Sequence, residues 1–176
     1  HTAYRRQRQM CIRDRRPLVR RGSTSQSDSM DLILWRHAEV QEAVEDIEDE
    51  QRVLTPRGEK QASRMAAWLD RQLPEGVRIL CSPAVRAEQT AQALGRKFKR
   101  RAELLPDGSM EDLLRLSQWP ASRSPVLVVG HQPMLGRTIA HLLHLSEADC
   151  AVKKGSVWWL RPVSYTHLRA HETKAN

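Results

Sequence analysis

Residues 32–39 of this 176-residue chain read LILWRHAE. Four apolar residues, typical of a buried strand, are followed at once by Arg36 and His37, two side chains that can carry positive charge. We predict a strand over residues 31–35. The octet alone allows two interpretations of the Arg-His pair: a phosphate site at the end of the strand, or a strand end with incidental polar residues. The remainder of the chain has to decide between them.

Short apolar runs alternate with longer segments of helical periodicity. We predict strands over 31–35, 77–81, 102–105, 125–129 and 152–160, and helices after 55–56, after 82–83, over 109–116 and from about 130 to 145. A Ser or Thr followed directly by proline is typical of a helix N-terminus, so Thr55 is predicted to be an N-cap, and Ser109 is predicted to cap the helix over 109–116. An uninterrupted apolar run is typical of a strand buried on both faces. The alternation predicts an α/β fold, a three-layer sandwich with a mostly parallel central sheet flanked by helices.

Charged or imidazole side chains follow three of the predicted strands. Arg36 and His37 follow the first, Arg86 lies in the helix that starts after the second, and His131 follows the apolar run at 125–129. Since ligands collect at the carboxyl ends of parallel strands, we expect these side chains to line one pocket. Guanidinium groups grip phosphoryl oxygens, and a neutral imidazole can attack phosphorus. The pattern therefore predicts phosphoryl transfer.

Four segments in order resemble the signatures of the histidine phosphatase superfamily. They are LILWRHAE (32–39), LTPRGEKQA (54–62), SPAVRAEQTA (82–91) and VVGHQPML (128–135). Their spacing is most similar to the small phosphohistidine phosphatase branch, the SixA-like proteins, and the resemblance covers residues 30–161. It implies a phosphoglycerate mutase-like fold and a phosphatase that needs neither a metal ion nor another cofactor.

The resemblance also implies a role for each matching residue. His37 is the expected nucleophile, which becomes transiently phosphorylated. Arg36 and Arg86 are expected to hold the phosphoryl oxygens, and His131 to donate to the phosphoryl group across the site. Arg52 is expected to be a further phosphate contact, although the acidic segment before it departs from the family's pattern.

The expected substrate is phosphohistidine on a signalling or phosphotransfer protein. A small phosphorylated metabolite is the alternative, and a non-catalytic phosphate-sensing domain is another. Ester hydrolysis needs an acid to protonate the leaving alkoxide, and Asp107 and Glu111 lie in a plausible region without a matching motif. Because imidazole leaves more readily than an alkoxide, a missing acid favours phosphohistidine.

The net charge of +8 is concentrated at the two ends of the chain. Residues 1–29 and 164–176 carry 10 Lys and Arg against 3 Asp and Glu, while residues 30–163 carry 19 against 18. Both ends lack periodicity and resemble translated adapter sequence. We expect them to be non-native or disordered, with Met30 as the natural start and a histidine phosphatase domain over 30–163. A transit peptide or a nucleic-acid-binding arm is the alternative for residues 1–29.

Three cysteines without a Cys-x-x-Cys pair favour neither a disulfide framework nor a zinc site. We expect a cytoplasmic monomer with no membrane or nucleic-acid partner. The acidic segment 39–50 is interpreted as a solvated loop; beside a phosphate site it would repel small anions or contact a basic protein substrate. Ser82 is predicted to cap a helix rather than act as a nucleophile, and Lys153 and Lys154 to lie at a solvated strand edge from which they could steer an anionic partner.

Overall fold

The computed structural model describes residues 31–164 and 167–175, apart from the side chains of residues 163, 164 and 167–169. The strands are β1 (Leu32–Arg36), β2 (Arg78–Cys81), β3 (Lys99–Arg100), β4 (Val126–Gly130), β5 (Val157–Ser164) and β6 (His167–Thr173). The α-helices are α1 (Pro56–Gln72), α2 (Val85–Gln92), α3 (Met110–Ser117) and α4 (Met134–Leu142), and short 3-10 helices cover Asp49–Gln51 and Ala102–Leu104. Within this described part, none of the helices is long and apolar enough to cross a membrane.

The strands form one mixed sheet in the order β3-β2-β4-β1-β5-β6. The pairs β1–β4, β2–β4 and β2–β3 are parallel, whereas β5 is antiparallel to both β1 and β6. The carboxyl ends of β1, β2 and β4 therefore meet at one edge of the sheet. The predicted α/β fold with a central sheet flanked by helices is confirmed.

Helices cover both faces of the sheet. In β1, Leu32 and Leu34 belong to the apolar layer that includes α3 and α4, while Ile33 and Trp35 belong to the layer that includes α1 and α2. All four side chains are fully buried. Successive strand residues point to opposite faces, so a strand covered on both sides needs an uninterrupted apolar sequence. This explains why LILW shows no alternation with polar residues.

Two of the predicted helix caps are present and one is not. Thr55 at α1 and Ser109 at α3 each accept a hydrogen bond from the backbone N–H three residues later, as predicted. The prediction that Ser82 caps α2 is wrong, because the N-cap residue of that helix is Ala84. Pro83 precedes the cap residue instead of following it, so the Ser-Pro pair lies just outside the helix.

Two strands lie elsewhere than predicted. The strand expected at 102–105 is a 3-10 helix followed by a bend, and Leu104 is fully buried in the core from this position. β5 begins at Val157 rather than at Val152, because residues 152–156 form a loop that hydrogen-bonds to the end of β1. In both places a buried apolar residue in a loop gives the same local pattern as a strand.

Residues 164–176, for which the sequence predicts a non-native or disordered tail, include a strand. His167–Thr173 form β6, which is paired antiparallel with β5. The outer edge of β5 offers backbone N–H and C=O groups, so a segment without hydrophobic periodicity can add to the sheet through its backbone. That this segment is non-native stays a prediction, and the predictions for residues 1–29 lie outside the described residues.

Gly58 allows α1 to lie against the backbone just beyond β1. A Cβ atom at position 58 would lie 2.0 Å from the carbonyl oxygen of Glu39. The same oxygen accepts a hydrogen bond of 3.0 Å from the N–H of Thr55. The glycine in the segment LTPRGEKQA is therefore explained by a close approach to the backbone of Glu39.

Gly58→Ala is expected to lower the free energy of unfolding by roughly 1–3 kcal/mol, because the added methyl group overlaps backbone that cannot rotate away. Urea denaturation measures the change. Gly76→Ala is the matched control, since a Cβ atom at position 76 meets nothing within 4 Å. We expect this control to stay within about 1 kcal/mol of the wild type. Equal effects of the two substitutions would contradict the close approach at Gly58.

Candidate active site

The register of the sheet places two histidines side by side. β1 and β4 are parallel with Arg36 opposite Gly130, so His37 and His131 are the first residues beyond their strands. The two ring centroids are 5.2 Å apart, and the ring planes are tilted by 53°. Their relative exposures are only 4% and 2%. Two imidazoles from distant parts of the chain therefore meet in a buried cluster.

One ring nitrogen of His37 is held by the chain itself. Nδ1 lies 2.8 Å from the carbonyl oxygen of Ala38. Because a carbonyl oxygen can only accept, we assign the ring proton to Nδ1, which leaves a lone pair on Nε2. The backbone is fixed on both sides of the ring: the N–H of His37 donates to Gly130, and the N–H of Ala38 donates to Oγ1 of Thr90, each at 3.1 Å. The lone pair on Nε2 of His37 is what a nucleophile requires.

The loop before β5 holds Arg36. Its Nη1 donates to the carbonyl oxygen of Val152 at 2.7 Å, and its backbone N–H donates to that of Ser156 at 3.1 Å. Gly155, at φ 75°, turns its N–H towards the carbonyl oxygens of Arg36 and His37, at 3.1 and 2.9 Å. The Nε of Arg36 is buried and has no hydrogen-bond partner among the described residues. It is a positioned donor that an anion could use.

Arg86 is buried and bonded to Asp49. Nη1 of Arg86 donates to the backbone oxygen of Asp49 at 2.6 Å, and Nη2 donates to Oδ2 at 2.9 Å. Oδ1 of the same carboxylate accepts from Nη1 of Arg52 at 2.9 Å. The hydrogen bond from Arg52 lowers the pKa of Asp49 below its usual value. Burial opposes this, and the hydrogen bond and charge of Arg86 add to the lowering. The acidic segment, interpreted from sequence as a solvated loop, thus places one carboxylate against the arginines.

Within the part of the chain that the structure describes, the link between Arg52 and the cluster is that carboxylate. Nε and Nη2 of Arg52 donate to the carbonyl oxygen of Gln41 at 3.0 and 2.7 Å, so these two nitrogens are already bonded. Its expected role as a phosphate contact stays a prediction. The other four residues expected in the site are brought together by the structure: Arg36, His37, Arg86 and His131.

The environment favours neutral imidazoles. Burial lowers the pKa of His37 to about 3; the hydrogen bond to Ala38 acts in the opposite direction. Positive charges then add to the lowering, and they belong to Arg36, Arg86 and Lys154. The sequence predicts Lys154 at a solvated strand edge, whereas the structure places it in the loop before β5, from which its charge acts on His37.

His131 is neutral for similar reasons. Burial lowers its pKa to about 3, and the neighbouring His37 and Arg86 add to this, while the charge of Asp49 opposes it. Its Nε2 lies 2.7 Å from Oγ of Ser82. Its Nδ1 is buried and has no hydrogen-bond partner within the described part of the chain. At neutral pH each imidazole therefore carries a single ring proton.

Thr90 supports the cluster, and Gln89 holds the backbone before α1; no sequence pattern used above indicates either residue. Oγ1 of Thr90 donates to the carbonyl oxygen of Arg86 at 2.7 Å and also accepts the N–H of Ala38. Oε1 of Gln89 accepts from the N–H of Leu54 at 2.8 Å. Both lie about one helical turn after Arg86, on the helix that carries it. Polar residues at this spacing are the signal that could have indicated them.

Asp107 and Glu111, the residues considered as a general acid, are exposed in the turn before α3 and in its first turn. Neither of them takes part in the hydrogen bonds of the four cluster residues within the described part of the chain. Among the described residues, no group of three or more His, Cys, Asp or Glu side chains is placed to hold a metal ion.

The chain matches the family model of the histidine phosphatase superfamily (branch 1) over residues 32–108. It is 33% identical over 122 residues to the phosphohistidine phosphatase SixA of Escherichia coli, covering 64% of this chain and 74% of that protein. It is 32% identical over 129 residues to a phosphohistidine phosphatase SixA homolog of Haemophilus influenzae, covering 64% of this chain and 77% of that protein.

Solved structures resemble the fold over most of its length. The structure of the protein histidine phosphatase SixA complexed with tungstate has a TM-score of 0.64 and 28% identity, covering 74% of this chain and 86% of that one. A phosphoserine phosphatase of Entamoeba histolytica has a TM-score of 0.63, covering 80% and 94%, but its identity of 16% supports a likeness of fold alone.

Because the fold keeps both histidines neutral, we predict that the free energy of unfolding decreases in acid. Their pKa is about 3 in the folded chain and about 6.5 when unfolded, so the unfolded state takes up protons first as the pH falls. The free energy of unfolding should therefore decrease as the pH is lowered from about 6.5 towards about 3. Urea denaturation across this range measures the slope.

His37→Asn should remove part of that slope, because the substituted side chain takes up no proton in either state. His141→Asn, at an exposed position of α4 outside the cluster, is the control and should keep the wild-type slope. Finding the full wild-type slope in His37→Asn would show that His37 is not held neutral by the fold.

Proposed function

This chain is a phosphatase of the histidine phosphatase superfamily and of its SixA-like branch, and from that premise we propose that it hydrolyses phosphohistidine carried by a signalling or phosphotransfer protein. The observation that carries the proposal is the hydrogen bond that orients the ring of His37 beside two arginines. Its Nδ1 proton is bound by the carbonyl oxygen of Ala38, so the lone pair of Nε2 is available beside the charges of half-buried Arg36 and buried Arg86.

In the first step, Nε2 of His37 attacks the phosphorus atom of the substrate. The new N–P bond forms as the N–P bond of the substrate phosphohistidine breaks. The negative charge of the phosphoryl group is spread over its equatorial oxygens during transfer, and fixed positive charge stabilises it. Arg36 and Arg86 supply that charge, and the buried Nε of Arg36, without a partner among the described residues, supplies a donor.

In the second step, water attacks the phosphorus atom on His37. Because Nδ1 keeps its proton throughout, the phosphorylated ring is cationic and departs as the neutral imidazole from which it began. The water keeps both of its protons and leaves as part of a dihydrogen phosphate ion. The hydrogen bond to Ala38 therefore serves both steps, since it exposes the attacking nitrogen and makes the same ring a good leaving group.

The leaving group supports an N–P substrate over an ester. A substrate imidazole whose other nitrogen is protonated departs as a neutral ring, whereas an alkoxide needs a protein acid. Asp107 and Glu111 are exposed outside the cluster. The carboxylate that does contact the cluster belongs to Asp49, and its lowered pKa keeps it ionised near neutral pH, so it is a poor proton donor.

The direct test measures phosphate release by the full chain from a phosphohistidine-carrying protein and from 4-nitrophenyl phosphate. His37→Ala is expected to lower kcat/KM on both by roughly 10³-fold or more, since it removes the nucleophile. His141→Ala should keep wild-type rates. Wild-type activity in His37→Ala would contradict the nucleophile, and hydrolysis of the ester alone by the wild type would contradict the substrate.

Asp107→Asn and Glu111→Gln test whether the reaction uses either carboxyl group as a general acid. Turnover of phosphohistidine should stay within about twofold of the wild type in both variants, because the proposed steps use neither carboxyl group. The same rates are measured with an alkyl phosphate, whose leaving group does need a proton. A loss of phosphohistidine turnover of about 100-fold in either variant would place that residue in the reaction and contradict the acid-free mechanism.

A further inference from the structure

Ser82 is fully buried against His131, yet the proposed reaction gives its hydroxyl group no part. The pairing of β2 with β4 sets its position: Cys81 lies opposite Val129, and the N–H of Ser82 donates to the carbonyl oxygen of Val129 at 3.0 Å. Oγ of Ser82 lies 2.7 Å from Nε2 of His131. A short, buried hydrogen bond therefore joins the two strand ends.

Counting protons determines the direction of this hydrogen bond. A hydroxyl group has one proton to donate and two lone pairs. One lone pair of Oγ accepts the N–H of Ala84 at 3.2 Å. Among the described residues, the one other hydrogen-bond neighbour of this oxygen is Nε2 of His131. If Nε2 carried a proton, the buried hydroxyl proton of Ser82 would have no acceptor, which is unfavourable in a buried site.

The opposite nitrogen of His131 supports the same direction. Nδ1 is buried and has no hydrogen-bond partner among the described residues. If the ring proton were on Nε2, Nδ1 would present a lone pair to an anionic phosphoryl group and repel it. With the proton on Nδ1, the atom is a donor that is already oriented and needs only a ligand oxygen.

We propose that Ser82 is a positioning residue that donates its hydroxyl proton to Nε2 of His131 and so keeps this histidine in the tautomer with the proton on Nδ1. His131 then donates through Nδ1 to the phosphoryl group being transferred to His37. This inference rests on the proposed reaction for its catalytic consequence, but the tautomer itself is a property of the protein without substrate.

The deciding experiment is a long-range ¹H–¹⁵N correlation spectrum of the full chain with ¹⁵N-labelled histidine at neutral pH. It distinguishes the protonated ring nitrogen from the bare one, and the signals of His131 are assigned by their loss in His131→Gln. The wild type should carry the proton on Nδ1. A proton on Nε2 overturns the proposal whatever the variants do. Because no turnover is involved, failure of the phosphohistidine proposal would leave this result unchanged.

Ser82→Ala removes the donor and should move the proton of His131 towards Nε2. We expect kcat to fall by roughly 10-fold or more with KM little changed, since the lost donor acts mainly on the transition state. Ser117→Ala, which removes a buried hydroxyl group from α3, is the matched control and should keep the wild-type spectrum and kcat. An unchanged spectrum in a folded Ser82→Ala protein would overturn the proposal.

A double substitution tests whether Ser82 acts through His131. In a His131→Gln background, Ser82→Ala should cause no further loss of kcat, because residues that act as one unit are not additive. A second loss as large as that in the wild-type background would show a separate role for Ser82 and overturn the proposal. Melting temperatures of all variants separate these effects from loss of folding.

Discussion

The parallel register between β1 and β4 is the constraint on which the site depends. With Arg36 opposite Gly130, the next residue of each strand is a histidine, and the two rings lie 5.2 Å apart. A shift of the pairing by one residue would send every side chain of β1 to the opposite face of the sheet. The leucines that pack under α3 and α4 would then exchange places with Ile33 and Trp35. The same apolar packing that stabilises the fold therefore fixes the distance between the imidazoles.

Burying Arg86 and two imidazoles, and half-burying Arg36, is unfavourable unless each side chain is held by a partner. The partners here are mostly backbone carbonyl oxygens: Val152 accepts from Arg36, and Ala38 accepts from His37. A carbonyl oxygen orients a donor without cancelling its charge, so positive charge remains for an anionic ligand. Arg86 differs, because it also meets the carboxylate of Asp49. That carboxylate is shared with a second arginine, which leaves the local charge positive.

The sequence predicts the elements that depend on neighbouring residues, and the positions of Arg36, His37, Arg86 and His131 at strand ends predict their meeting. It misses individual contacts between residues that are far apart in the chain. The strand before Arg36 and the caps of α1 and α3 follow from a few adjacent residues, and the structure contains them. Ser82 has the sequence pattern of a cap, but its principal partner, His131, lies 49 residues away. The loop before β5 has the pattern of a strand because Val152, which bonds to Arg36 across 116 residues, is buried like a strand residue. Local periodicity carries no information about such partners.

The two histidines show how one tautomer can serve two opposite purposes. His37 has its Nδ1 against an acceptor, the carbonyl oxygen of Ala38, whereas His131 has its Nε2 against a hydroxyl group that can donate. Each contact places the ring proton on Nδ1, but the nitrogen left for the ligand differs. His37 offers the lone pair of Nε2, and His131 offers the N–H of Nδ1. Two histidines in the same protonation state thus act as a nucleophile and as a hydrogen-bond donor, because neighbouring groups hold opposite nitrogens of the two rings.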